Sequence, residues 1–174
     1  VPDFDRTYDQ YFRFVWNSAR RLGVRDDAID DVVQEVFVVI HAKLHTVHSP
    51  DSLRSFIYGV TKRTVSEHFR QLQRHGSTES LPDRPVVPST APTPLDVAEH
   101  MSQLELLENL LGKLAAPKRE VFILSEIEEM SMPEIAAALD VPLNTAYSRL
   151  RHARQEFEAL LELQLAASRK RGLG

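Results

Sequence analysis

Several sets of residues have the types and spacing for chemistry, and that chemistry is recognition, with no constellation for breaking bonds. Arg63, Glu67, Arg70 and Arg74 follow an i, i+4, i+7, i+11 order that places them on one face of a helix, with Lys62 and Ser66 beside them. A cationic face tracks phosphates, and its polar tips can reach bases that have been exposed. A second set, Thr145, Tyr147, Ser148, Arg151 and His152, clusters on neighbouring faces of one short segment, with Arg149 and Arg154 placed for phosphates. In a major groove an arginine can pair with guanine through two hydrogen bonds, and Ser or Thr accepts several bases. A third set, Asp30, Asp31, Gln34, Glu35 and Phe37, joins carboxylates, an amide and a large apolar ring. That surface suits docking on a basic helical partner. Ordinary solvated helix faces account for the charge blocks equally well, and Val33, Val36 and Phe37 also read as core.

The elements that must position these residues are helices. Residues 5–22 carry Tyr8, Tyr11, Phe12, Val15, Ala19 and Leu22 at helical spacing, and Gly23 can end them. Residues 26–43 begin with an acidic turn and continue with Ile29, Val32, Val33, Val36, Phe37 and Ile40 on one face. After a loop at Thr46 to Pro50, a third helix capped by Ser49 or Asp51 carries Leu53, Phe56, Ile57, Val60, Val65, Phe69 and Leu72. Pro82, Pro85, Pro88, Pro92 and Pro94 then forbid helix and predict an extended linker. Further helices are expected near 96–113, 117–128, 131–139 and 143–165. Ser131 and Glu134 have the spacing of a capping box, with Pro133 in the first turn. A short helix, the break at Asp140-Val141-Pro142, and a longer arginine-bearing helix make a helix-turn-helix pattern, and the small Ala136, Ala137 and Ala146 suit a close crossing. The expected fold class is all-α: two small helical domains, 1–75 and 96–174, joined by a proline-rich linker at 76–95.

Composition agrees. The chain has 174 residues, 43% of them hydrophobic, which suits two small cores and excludes a disordered chain. It has no cysteine, which rules out a disulfide scaffold and thiolate metal sites and fits a reducing cytoplasm. No apolar run approaches the ~20 residues that span a bilayer, so no membrane insertion is expected. Val1 to Asp5 lack the pattern of a signal peptide, and Val1 in place of Met reads as a trimmed start. The net charge of −4 averages over acidic and basic blocks, a pattern fitted to a protein that touches both DNA and a basic protein surface. His41, His45 and His48 lack a further ligand arranged beside them, so neither metal nor cofactor is expected. No nucleotide-binding glycine loop or catalytic motif is present, and no enzyme is expected. Leu104, Leu107, Leu110, Leu111 and Leu114 resemble a zipper but read better as a core helix at this length. The tail Ser168 to Arg171 is expected to fray.

These segments carry a resemblance. Asp30 to Phe37 looks like the D-L-V-Q-E-V-F signature of region 2 in the sigma-seventy family, and Ser55 to Arg63 resembles its A-W-L-Y-x-I-A-x-N stretch. Pro117 to Leu124 resembles the P-x-x-x-R-E-V-F-x-L stretch of region 4. Pro133 to Ala136 and Val141 to Leu150 resemble its helix-turn-helix. With two modules and a short linker, the chain is similar to the extracytoplasmic-function subclass. The resemblance implies a partner in core RNA polymerase, gripped through Asp30, Asp31, Gln34, Glu35 and Phe37. It implies promoter DNA as the second partner: the minus-ten element on Val47, His48, Lys62, Arg63, Ser66, Glu67 and Arg70, with Val47 and His48 lining a pocket on which an unstacked base stacks, and the minus-thirty-five element on the 145–154 set. It also implies control by an anti-sigma factor and a cytoplasmic location. Phe56 stands where the family usually has Trp, Arg63 where it often has Asn, and Tyr147 where a basic residue is usual. Two rivals are a sigma mimic that binds an anti-sigma protein without touching DNA, and a dimeric regulator that binds palindromes.

Overall fold

The computed structural model describes residues 3–74 and 94–171, and the described residues form seven α-helices in two compact units. The first unit contains α1 (Phe4–Arg21), α2 (Ile29–Lys43) and α3 (Pro50–Arg74), with a 3-10 turn at Leu44–Thr46. The second contains α4 (Pro94–Lys113), α5 (Ala116–Phe122), a π turn (Ile123–Ile127), α6 (Met132–Leu139) as far as Ala136, and α7 (Leu143–Arg171). Most of the expected proline-rich linker lies outside the described residues.

In the first unit each helix packs on the other two. Val15 and Ala19 of α1, Val36 and Ile40 of α2, and Ile57 of α3 are wholly buried. Each larger aliphatic side chain so buried stabilises the fold by about 1.5–3 kcal/mol. Thr61, equally buried, donates its hydroxyl to the carbonyl of Ile57 at 2.9 Å, so the polar atom brings no unmet demand into the core. Gly23 ends α1 as its position suggested. Its φ is 100°, and the N–H of Val24 reaches back to the carbonyl of Ala19 at 3.1 Å, a left-handed cap that a side chain would strain.

One boundary differs from expectation. α2 begins at Ile29, so Asp26 and Asp27 lie in the preceding turn and only Asp30 and Asp31 occupy its first turn. Asp26 is already paired with Arg20, a buried guanidinium that also lies 5.1 Å from the centre of the Trp16 ring. A buried cation needs a counter-charge, and that demand takes Asp26 out of the acidic face.

In the second unit, Leu111 of α4 and Leu114 just beyond its end pack with Phe122, Ile123 and Ala153, and the Phe122 and Phe157 rings stack at 4.7 Å. Leu110 and Leu114 are buried while Leu104 is exposed, the pattern of a core helix. The capping box forms: the Ser131 N–H donates to Glu134 Oε2 at 2.7 Å, and the Glu134 N–H points at Ser131 Oγ at 3.5 Å. Ile135, Ala136 and Leu139 are buried and Ala137 is exposed. Asp140 then takes φ 53°, with the Val141 N–H on the carbonyl of Ala136 at 3.0 Å, and this left-handed cap turns the chain into α7. α7 runs to Arg171, beyond the expected end at 165, and draws the supposed frayed tail into the helix.

Candidate nucleic-acid interface

α7 sets its own orientation. Ala146, Leu150 and Ala153 recur at i, i+4, i+7 and are buried, which fixes the inward face. The outward face therefore presents Tyr147, Arg151, His152 and Arg154, all exposed, with Thr145, Ser148 and Arg149 half-buried at its edges. Tyr147, Ser148, Arg151 and Arg154 line one shallow cleft that Ser125 and Met132 help to close. The arginines of this face differ in state. Arg151 and Arg149 form no ion pair among the described residues. Arg154 is engaged: its Nε and Nη2 donate to Glu126 Oε1 at 3.0 and 2.6 Å.

The α3 face shows the same division. Arg63 is exposed and forms no ion pair among the described residues. Arg70 donates to Glu67 Oε2 at 3.1 Å and Arg74 to Glu67 Oε1 at 2.7 Å, so one carboxylate holds two guanidinium groups. The Arg70 hydrogen bond, foremost, keeps the Glu67 carboxyl below the usual carboxylate range; partial desolvation opposes it and Arg74 adds to it. Lys62 and Ser66 are half-buried, and Ser66 donates its hydroxyl to the Lys62 carbonyl at 2.8 Å, leaving its oxygen to accept. His48 is exposed, but Val47 is not available for stacking. After the 3-10 turn its N–H bonds to the carbonyl of Leu44, and its side chain turns into the core with 6% exposure. An apolar residue at a loop entrance gains more from the core than from a solvated pocket wall.

On α2, Asp30, Asp31, Gln34 and Glu35 are exposed and contiguous. Phe37 is only 4% exposed, which corrects its place in the docking set. Its ring packs against Tyr8 at 4.6 Å and Phe12 at 6.3 Å, so it supplies only the floor of a shallow groove between α1 and α2. Val38, 63% exposed, and His41, edge-on to Phe4 at 4.7 Å, complete that groove beside Asp30 and Gln34.

Residues 7–75 match sigma-70 region 2, and residues 104–157 match sigma-70 region 4. Over 151 residues the chain is 30% identical to the RNA polymerase sigma factor CnrH of Cupriavidus metallidurans, covering 83% of this chain and 79% of that one. The chain belongs to the sigma-70 family. It is an extracytoplasmic-function RNA polymerase sigma factor, and the family is not enzymatic. The ECF sigma factor SigE of Mycolicibacterium smegmatis is 28% identical over 163 residues, 92% of this sigma factor and 62% of that longer one. The sigma factor RpoE of Bartonella quintana, solved with the anti-sigma factor NepR, shares the fold at a TM-score of 0.69 with 20% identity, covering 93% and 98% of the two chains. The two units above thus correspond to regions 2 and 4 of a sigma factor, and α6 with α7 to the DNA-binding helix-turn-helix of region 4. Among the described residues no helix is long and apolar enough to cross a membrane.

Sequence reasoning missed Glu126. It lies in the π turn, 28 positions from Arg154, and spacing along the chain gives no sign of the pairing. Arg74 shares the α3 face, as its spacing indicates, and is paired there with Glu67.

Proposed function

We propose that this sigma factor joins core RNA polymerase through Asp30, Asp31, Gln34 and Glu35 of α2, engages the melted minus-ten element through α3, and reads the minus-thirty-five element through α7. The observation that carries this reading is the pair of exposed cationic faces, one in each unit, each keeping an arginine outside any ion pair among the described residues. Arg151 then reads a base edge, with Thr145, Tyr147, Ser148 and His152 beside it and Arg149 and Arg154 on phosphates. Arg63, Arg70, Lys62, Ser66 and His48 act on the separated strand, which a melted promoter supplies. Residues 1–75 and 96–174 serve as the two functional domains with 76–95 as their tether. An anti-sigma factor controls the protein, as NepR partners RpoE in Bartonella quintana, and the cytoplasm is where the polymerase is met.

Transcription reconstituted with purified core polymerase over a promoter library tests the whole reading. Asp31→Arg with Gln34→Ala should weaken polymerase binding while circular dichroism shows unchanged helicity, since both side chains are exposed. Arg70→Ala should reduce permanganate-detected melting with little change in upstream preference. Unaltered polymerase affinity in the first variant at physiological salt refutes the dock. Absence of any promoter effect from Arg70→Ala and Arg151→Ala would leave a mimic of a sigma factor.

A further inference from the structure

The arginines on the two DNA-facing surfaces fall into two states, and the division repeats in units built quite differently. In α3 the partnering is within one helix, Glu67 to Arg70 and Arg74. In the second unit it runs between the π turn and α7, Glu126 to Arg154, where helical periodicity imposes nothing. Both carboxylates meet their arginines at charge-assisted hydrogen-bond distances, down to 2.6 Å at Glu126 and 2.7 Å at Glu67. A guanidinium presents the same fork of donors to a carboxylate and to a phosphate, so the two acceptors compete for one site. All of these side chains reach solvent, with 66% exposure at Arg70 and 53% at Arg154, so exchanging one acceptor for the other needs no unfolding.

From this geometry we infer that Glu67 and Glu126 are specificity-determining residues: each occupies the phosphate site of its arginines until a promoter, held in register by base contacts, displaces it. The inference rests on the assignment of the α3 and α7 faces to DNA. On random DNA nothing fixes the register, so a phosphate must outcompete a carboxylate already in place. On a promoter, base contacts at Arg151 hold the backbone beside Arg154, its i+3 neighbour, and raise the local concentration of phosphate there. The carboxylates therefore weaken random binding more than promoter binding, and they lower the number of counterions released on non-specific contact.

The test uses the full chain assembled with core polymerase and compares Glu67→Gln, Glu126→Gln and the double variant. Glutamine keeps the shape and helix propensity and removes the charge. Asp9→Asn, on an exposed face of α1 outside both surfaces, controls for the change in net charge. Binding is measured across a salt series on a random-sequence duplex, a random fork with a single-stranded arm, and promoter DNA. Each substitution should tighten random-DNA binding about two- to fivefold, the range expected from releasing an exposed ion pair. Glu126→Gln should act on the duplex and Glu67→Gln on the single-stranded arm, each with a steeper salt dependence and a smaller change on the promoter. Random-DNA affinity and salt slope equal to those of Asp9→Asn overturn the inference. If Arg70→Ala and Arg154→Ala leave every DNA affinity unchanged, the DNA assignment itself falls and the inference with it. If those two weaken binding while the glutamine variants do nothing, only the inference is lost.

Discussion

Replacing Arg151 by alanine tests the base-reading role proposed for α7, because the structure removes the usual confounders. The side chain lies on the face away from Ala146, Leu150 and Ala153, so the substitution opens no cavity and should cost the fold no more than about 0.5 kcal/mol. It breaks no ion pair among the described residues, so the cost seen in binding is the lost DNA contact alone. A two-pronged arginine–guanine contact discriminates by about 1–3 kcal/mol, which is roughly 5- to 150-fold in affinity for the upstream element. Arg154→Ala should lose less, because its phosphate contact must be set against the pair it gives up with Glu126. The assay is competition binding of the reconstituted polymerase to a library randomised over the upstream element, with melting temperature of the free protein as the folding control. A loss for Arg151→Ala that is uniform across the library would show a phosphate contact instead of base reading. An equal loss for both variants would refute the argument from pairing.

Three other outcomes follow from the geometry. Ile40→Ala, at the wholly buried centre of the first unit, should destabilise it by about 2–5 kcal/mol by denaturant unfolding, with helices of the second unit unaffected. Ser131→Ala, which removes the hydroxyl of the capping box, should lower thermal stability by about 1 kcal/mol, and an unchanged melting temperature would deny the cap a role. The Glu67 carboxyl, held low chiefly by Arg70, should titrate below the usual glutamate value of about 4.3 when followed by carbon-detected NMR. Because its folded value is depressed, its link to Arg70 and Arg74 is complete above that usual value and is lost only as pH falls through the lower one. A midpoint at or above the usual value, or no change on Arg70→Ala, would contradict the pairing.

What the sequence revealed was local, and what it concealed was not. Gly23 announces a helix end because a left-handed cap needs a residue without a side chain. Ser131 and Glu134 announce a helix start because the two hydrogen bonds span a fixed interval. The alanine–leucine–alanine spacing of α7 fixes which arginines face outward by periodicity alone. Val47 and Phe37 were ambiguous for a common reason: an apolar side chain beside a functional stretch serves equally as surface or as core, and only the positions of Leu44, Tyr8 and Phe12 decide. Asp26 was counted with the acidic helix because nothing in the sequence shows that Arg20 would be buried and need it. On the candidate faces, outward exposure was legible and the charge pairing was not, since the Glu126–Arg154 pairing depends on tertiary structure.

The π turn after α5 works as a phase shift. An α-helix rotates about 100° per residue, so four successive residues point nearly all the way round it and cannot all face one core. Val121, Phe122, Ile123 and Leu124 are nevertheless all buried, across the junction where α5 widens and the Glu128 N–H reaches five residues back to the carbonyl of Ile123 at 3.0 Å. One residue is absorbed there without the usual advance. Were Ile123–Ile127 to close to ordinary α pitch with no residue removed, the missing advance would return and everything downstream would swing by about 100°, a quarter-turn and more. The sequence would be unchanged, yet Glu126 would leave Arg154 and the entrance to α6 would be re-aimed. In this chain the bearing of the DNA-reading helix is thus written in the length of a turn as much as in the side chains that touch DNA.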